Sequence, residues 1–147
     1  EKRLETIFMR LIKTSLIAIA ALCAFSSCSS RSAAIDRMVD ELNSPVFRAR
    51  EAKTGLFDDS KAEVKDKQLI ITFLCRPFIN LSTVSKDELP QLQQSALTEF
   101  RANLVNEKFR EGIEALAHEG MTLLLVWQDI NGASIHLTLS PSEILAE

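Results

Sequence analysis

Two apolar runs, Met121 to Asp129 and Ser134 to Leu139, face each other across Ile130-Asn131-Gly132-Ala133. Asn-Gly between β runs is the strongest short hairpin signal, because a type I′ turn needs φ > 0 at both central residues. Any fold of this chain must therefore hold an antiparallel pair here. A two-residue turn sets Gln128 against Ile135, Val126 against Leu137 and Leu124 against Leu139. That face is expected to be the buried one. Trp127, Leu125 and Leu123 then point the other way, with Trp127 beside His136 and Leu125 beside Thr138.

A second hairpin is predicted upstream, from Leu56–Val64 and Gln68–Cys75 around Asp66-Lys67. Leu69, Ile71, Phe73 and Cys75 alternate on one face. Ala62 and Val64 join them if Lys65 pairs with Gln68. Lys61, Glu63, Lys65, Ile70 and Thr72 occupy the other face, and Pro77 ends the strand.

Helical spacing fills the gaps. Ile35, Met38, Val39 and Leu42 recur at i, i+3, i+4 and i+7, and Asn43-Ser44-Pro45 ends that helix. Val46 to Lys53 reads as irregular chain or a short strand. Ser85 and Glu88 match a capping box, although Pro90 moves the start toward Leu89. Leu92, Ala96, Phe100 and Leu104 form one stripe; Val105, Phe109, Ile113 and Leu116 form another, nearly opposite. A break near Asn103 to Glu107 follows, with Asn106 as the new cap and Gly120 as the stop. Ser140-Pro141-Ser142-Glu143 opens a short last helix to Ala146. The expected fold is α+β, in the order α-β-β-α-β-β-α. The two hairpins would make one four-stranded antiparallel sheet with helices on one face.

The N-terminal segment is a different kind of signal. Arg10 and Lys13 precede the uncharged apolar run Leu16 to Phe25, followed by Ser26-Ser27-Cys28. Basic, apolar, then small residues is the secretory signal pattern. The run is about half of the ~20 residues a spanning helix needs. Phe25-Ser26-Ser27-Cys28 resembles the lipobox of bacterial lipoproteins, with Phe25 where the family usually has Leu. The resemblance implies cleavage before Cys28 and palmitate-type acylation of its sulfur. Residues 1–27 are then signal peptide with Met9 as the start, 28–33 a lipidated Cys and tether, and 34–147 a single domain. Two or three acyl chains anchor stably where one does not.

Composition closes several function classes. Of 147 residues 25% are charged and the net charge is −3; removing residues 1–27 takes four basic and two acidic residues and leaves −5. That opposes nucleic-acid binding. A single Trp and no Tyr leave no stacking platform for single strands. Of three Cys, only Cys75 remains unmodified in the domain, as a buried small hydrophobe. The two His, His118 and His136, are too few for an ordinary zinc site, and no cofactor is expected. His118 reads as a cation at a helix C-terminus and His136 as a cross-strand packing residue. Asp58-Asp59 reads as a turn before a strand. No catalytic motif is present, so the chain is not expected to be an enzyme.

From Ile35 onward the chain resembles small lipoproteins of Bacteroidetes-type envelopes. The resemblance is carried by the hairpin Ala62 to Phe73, Pro77-Phe78-Ile79-Asn80, the long helical segment, the second hairpin and Leu137 to Leu145. It implies no established activity. The expectation is an outer-membrane lipoprotein facing the periplasm, because Ser29 follows Cys28 and no acidic residue occurs between Cys28 and Asp36. Its role would be to bind an envelope protein or aid assembly. The alternatives are a carrier of a small hydrophobic ligand and a hydrolase using His118 or His136. Trp127, Leu125, Leu123 and His136 are the candidate partner contacts, unless another element of the same chain covers Trp127.

Overall fold

The computed structural model describes Arg10 and residues 31–146. The expected signal, its start at Met9 and the lipidation site Cys28 lie outside the described residues. Nine elements follow in the order α-α-β-β-α-α-β-β-α: α1 Arg31–Leu42, α2 Pro45–Lys53, β1 Phe57–Lys65, β2 Gln68–Cys75, α3 Leu89–Ala102, α4 Glu107–His118, β3 Thr122–Gln128, β4 Ser134–Leu139 and α5 Pro141–Leu145. None of these helices is long and apolar enough to cross a membrane.

The sheet is four-stranded in the order β1-β2-β3-β4. Both hairpins are antiparallel, but β2 and β3 run parallel. The expected all-antiparallel sheet is therefore corrected to a mixed one. The reason is the connection: α3 and α4 carry the chain back along the sheet, so β3 starts at the same end as β2.

The segment from Val46 to Lys53 is also corrected, from irregular chain to helix. Pro45 stands in its first turn, where no N–H is needed, and Ser44 Oγ accepts from Phe47 N–H. Its apolar spacing is poor, and Phe47 and Glu51 alone are buried. That absence of a stripe is why the sequence pattern missed it.

The long helical segment breaks where expected. A 3₁₀ turn covers Asn103–Val105, and Asn106 Oδ1 then accepts from the N–H groups of Lys108 and Phe109 to open α4. Ser85 caps only a 3₁₀ turn over Lys86–Glu88, and α3 begins at Leu89 with Pro90 in its first turn. The break brings the two stripes to one core, where Phe100 and Phe109 stack with centroids 5.6 Å apart, but Val105, expected in the second stripe, is exposed on the 3₁₀ turn.

The first hairpin has the expected register, with Lys65 opposite Gln68 and Ala62 opposite Ile71. The second is shifted by one residue. Trp127 faces Ile135, Leu125 faces Leu137 and Leu123 faces Leu139. The expected core set of Gln128, Val126 and Leu124 instead lies on the outer face. A slip of one residue exchanges the two faces of a strand. Here it places Trp127, Leu125 and Leu123 in the core, and all three are buried. Trp127 stacks on Phe73 at 6.0 Å, and Phe73 meets Phe57 at 5.1 Å. An aromatic row thus crosses three strands beneath the helices.

The turn accounts for the shift. Gly132 has φ 89°, while Asn131 is not among the positive-φ residues. Gly132 N–H donates to Asp129 O, and Asp129 N–H donates to Ala133 O. This is a three-residue loop ending in a left-handed glycine, not a two-residue type I′ turn.

Candidate functional site

The helices cover one face of the sheet and leave the other uncovered by described residues. That outer face is a regular grid set by the registers. Glu63, Ile70, Leu124 and Thr138 form one row across the strands; Lys61, Thr72, Val126 and His136 form the next. Asp59, Leu74, Gln128 and Ser134 form a third. Its centre is apolar and its margins are polar. Leu74 is 40% exposed, Ile70 and Leu124 are half-buried, and Val126 is sheltered between its neighbours. Phe78 and Ile130, in the segments that follow β2 and β3, are also exposed apolar side chains, at 67% and 66%.

The margins are held within the chain. Lys61 Nζ lies 3.8 Å from Glu63 Oε2, and Arg48 Nε lies 3.6 Å from Asp59 Oδ1. These pairs are well exposed and so contribute little to stability. Ser134 Oγ and His136 Nε2 are 3.0 Å apart.

Both sheet edges are occupied by amide side chains. Asn43 Nδ2 donates to Ala62 O, and Asn43 Oδ1 accepts from Ala62 N–H, each at 2.8 Å. Asn43 thus mimics one residue of a further strand along β1. At the other edge strand, Gln93 Nε2 donates to Thr138 O. A bare edge is a template for strand addition. Here each edge is engaged at one residue, and the larger uncovered surface is the outer face.

Asp129 ties the rim of that face together. It is a buried polar residue. Its Oδ2 accepts from Leu81 N–H at 3.0 Å, and Oδ1 accepts from Asn131 N–H at 2.9 Å and Ala133 N–H at 3.0 Å. The Leu81 bond, aided by those of Asn131 and Ala133, holds the carboxyl below the usual carboxylate range against the opposing cost of desolvation. Sequence reading gave Asp129 no role. The signal was present as an Asp three residues before the glycine, a position favoured in type I turns.

The residues singled out from sequence are dispersed. Trp127, Leu125 and Leu123 sit beneath the helices and offer no surface to a partner. His136 remains on the outer face, opposite Val126 and not Trp127. His118 closes α4, with Nδ1 3.9 Å from Glu119 Oε1. Cys75 is buried, and burial, then the Asp129 charge, push its thiol up to about 12. A thiol so far from ionisation is a poor nucleophile at neutral pH. Among the described residues no group of three His, Cys, Asp or Glu could hold a metal ion.

A void lies in the core between Met38, Leu69, Phe100, Phe109, Leu116 and Leu123. Its volume is about 10 Å³, which is room for one water at most, and its walls are apolar. A lipid-sized ligand would have to part the helices from the sheet. No family model matches the chain, and neither a curated protein nor a solved structure matches it.

Proposed function

We propose that the protein is a non-enzymatic envelope lipoprotein, anchored through Cys28 at the outer membrane, whose outer sheet face binds an envelope protein. The observation that carries the reading is the uncovered face with Ile70, Leu74, Leu124 and Val126 at its centre. An apolar centre with a polar rim is the anatomy of a protein contact. Exposed contiguous apolar surface is otherwise an aggregation liability. The contact is thereby reassigned from Trp127, Leu125 and Leu123 to the residues that alternate with them. His136 stays in the set, at the margin.

The test is crosslinking in the native envelope. Leu74→Lys and Leu124→Lys should each leave stability within about 1 kcal/mol, as surface substitutions do, while abolishing the crosslinked complex. A complex that survives both changes contradicts the assignment of the face. The anchor is tested separately. Cys28→Ser should end palmitate labelling, and labelling that persists contradicts it. Protease applied to intact cells should spare the protein if the domain faces the periplasm.

A further inference from the structure

Helix α2 carries a carboxyl group that the rest of the fold does not explain. Glu51 is fully buried, and neither of its oxygens has a hydrogen-bond partner. A buried ionised carboxylate without partners is costly, and such a group neutralises instead. Helix α2 itself is weakly fastened. Phe47 is its one other buried side chain, and it packs on α1 and β1 alone among the larger contacts. It is bounded by Ser44-Pro45 on one side and by Gly55, with φ 78°, on the other. Both are turns that a short helix can pivot on.

We propose that α2 is a flap released by ionisation of Glu51, pivoting on its flanking turns and uncovering the part of β1 it packs on. The closed state requires the neutral acid, because no cation is seated against the carboxyl. On α2 itself, Arg48 is engaged with Asp59 at 3.6 Å, and Lys53 is exposed at the last turn. Arg50 is exposed, and its attraction on Glu51 is smaller than the opposing cost of burial. On α1, Glu41 is itself pushed up by burial, with Arg37 opposing, and Asp40 is exposed. On β1, Asp58 is 3.6 Å from Arg76 Nε, and Lys61 pairs with Glu63. Arg76, just beyond β2, also donates from Nη2 to Ala52 O at 3.3 Å. It clasps the end of α2 while leaving the carboxyl of Glu51 unpartnered.

Burial pushes the Glu51 carboxyl from 4.5 up to about 7, against the attraction of Arg50. The sign follows from linkage. Between those two values the closed state holds a proton that the open state has lost. Closure therefore weakens as pH rises through this window and reaches its floor above about 7. The switch thus operates between about pH 4.5 and 7, with acid closing the flap and the approach to neutrality releasing it.

The experiment is hydrogen exchange read by mass spectrometry on the full chain in detergent, comparing wild type with Glu51→Gln at each pH. The comparison cancels the intrinsic rise of exchange with pH. Below about pH 4.5 the α2 amides should exchange alike in the two proteins. At pH 8 those of the wild type should exchange on the order of a hundredfold faster or more, as a shift from 4.5 to about 7 implies. The amides of β2 and β3 should show no such divergence. A ratio that stays flat across pH overturns the proposal. So does a divergence shared by the whole sheet, since that is global destabilisation and not release of a flap. Glu51→Met provides a second reference should Glu51→Gln fold poorly, with the same two outcomes.

Discussion

The two hairpins of this protein solve the same problem with opposite means. The first turns in two residues, Asp66 and Lys67, with φ of 51° and 62° and no glycine. The second possesses Asn131-Gly132, the preferred dipeptide for such a turn, and does not use it that way. It spends three residues and caps the loop with the Asp129 carboxylate. The difference shows which level of structure sets register. In both hairpins the alternation that is obeyed is the one that buries the largest side chains. At β2 this agrees with the tightest turn. At β3 the tightest turn would place Gln128 in the core and Trp127 outside, and burial prevails over turn preference.

The largest expected effect breaks the second hairpin. Trp127→Ala removes the side chain that fixes its register and should cost about 3–5 kcal/mol, measured by denaturant unfolding. Val126→Ala, one position along on the outer face, should cost less, reversing the order that a two-residue turn would give.

Asp129→Ala should come next. It leaves the N–H groups of Leu81, Asn131 and Ala133 without their acceptor. Because the folded carboxyl lies below its usual range, its contribution is present above the unfolded value and lost as pH falls through the folded one. Acid unfolding should therefore separate wild type from Asp129→Ala less and less as pH falls. A constant gap down through that range would show that the carboxylate charge is not what holds the loop.

Asn43→Ala should cost about 1 kcal/mol, the net worth of ordinary hydrogen bonds. It should also make the protein more prone to associate, because the β1 edge at Ala62 is then open. Light scattering before and after the substitution measures this.

The smallest effect sharpens the first hairpin and has the opposite sign. Lys67→Gly removes the penalty of a side chain at φ 62°, partly offset by the freedom glycine loses on folding, and should raise stability by about 0.5 kcal/mol. Thermal melting checks it.

These contrasts also show what the sequence could reveal. The β2 alternation Leu69, Ile71, Phe73 and Cys75 named its buried face outright, because the other face held charges on β1. On β3 every residue from Leu123 to Trp127 is apolar. Alternation is then silent, and the turn dipeptide became the sole guide and misled. The sheet's parallel centre was equally hidden, since it depends on how α3 and α4 return the chain and not on any local pattern. Helix α2 lacked an apolar stripe, although Ser44-Pro45 was a legible start. The candidate face was half-legible: Ile70 and Thr72 were placed outside correctly. Leu124 and Val126 were assigned to the core by the one-residue error.

The central claim is that burial of Trp127 fixes the register and so creates the outer face. Trp127 is the only tryptophan, so intrinsic fluorescence reports on it alone. The native protein should emit on the blue side of free tryptophan and resist quenching by acrylamide, with both properties lost on unfolding. Native emission like that of tryptophan in water, quenched as readily as the unfolded chain, would place Trp127 outside and contradict the account.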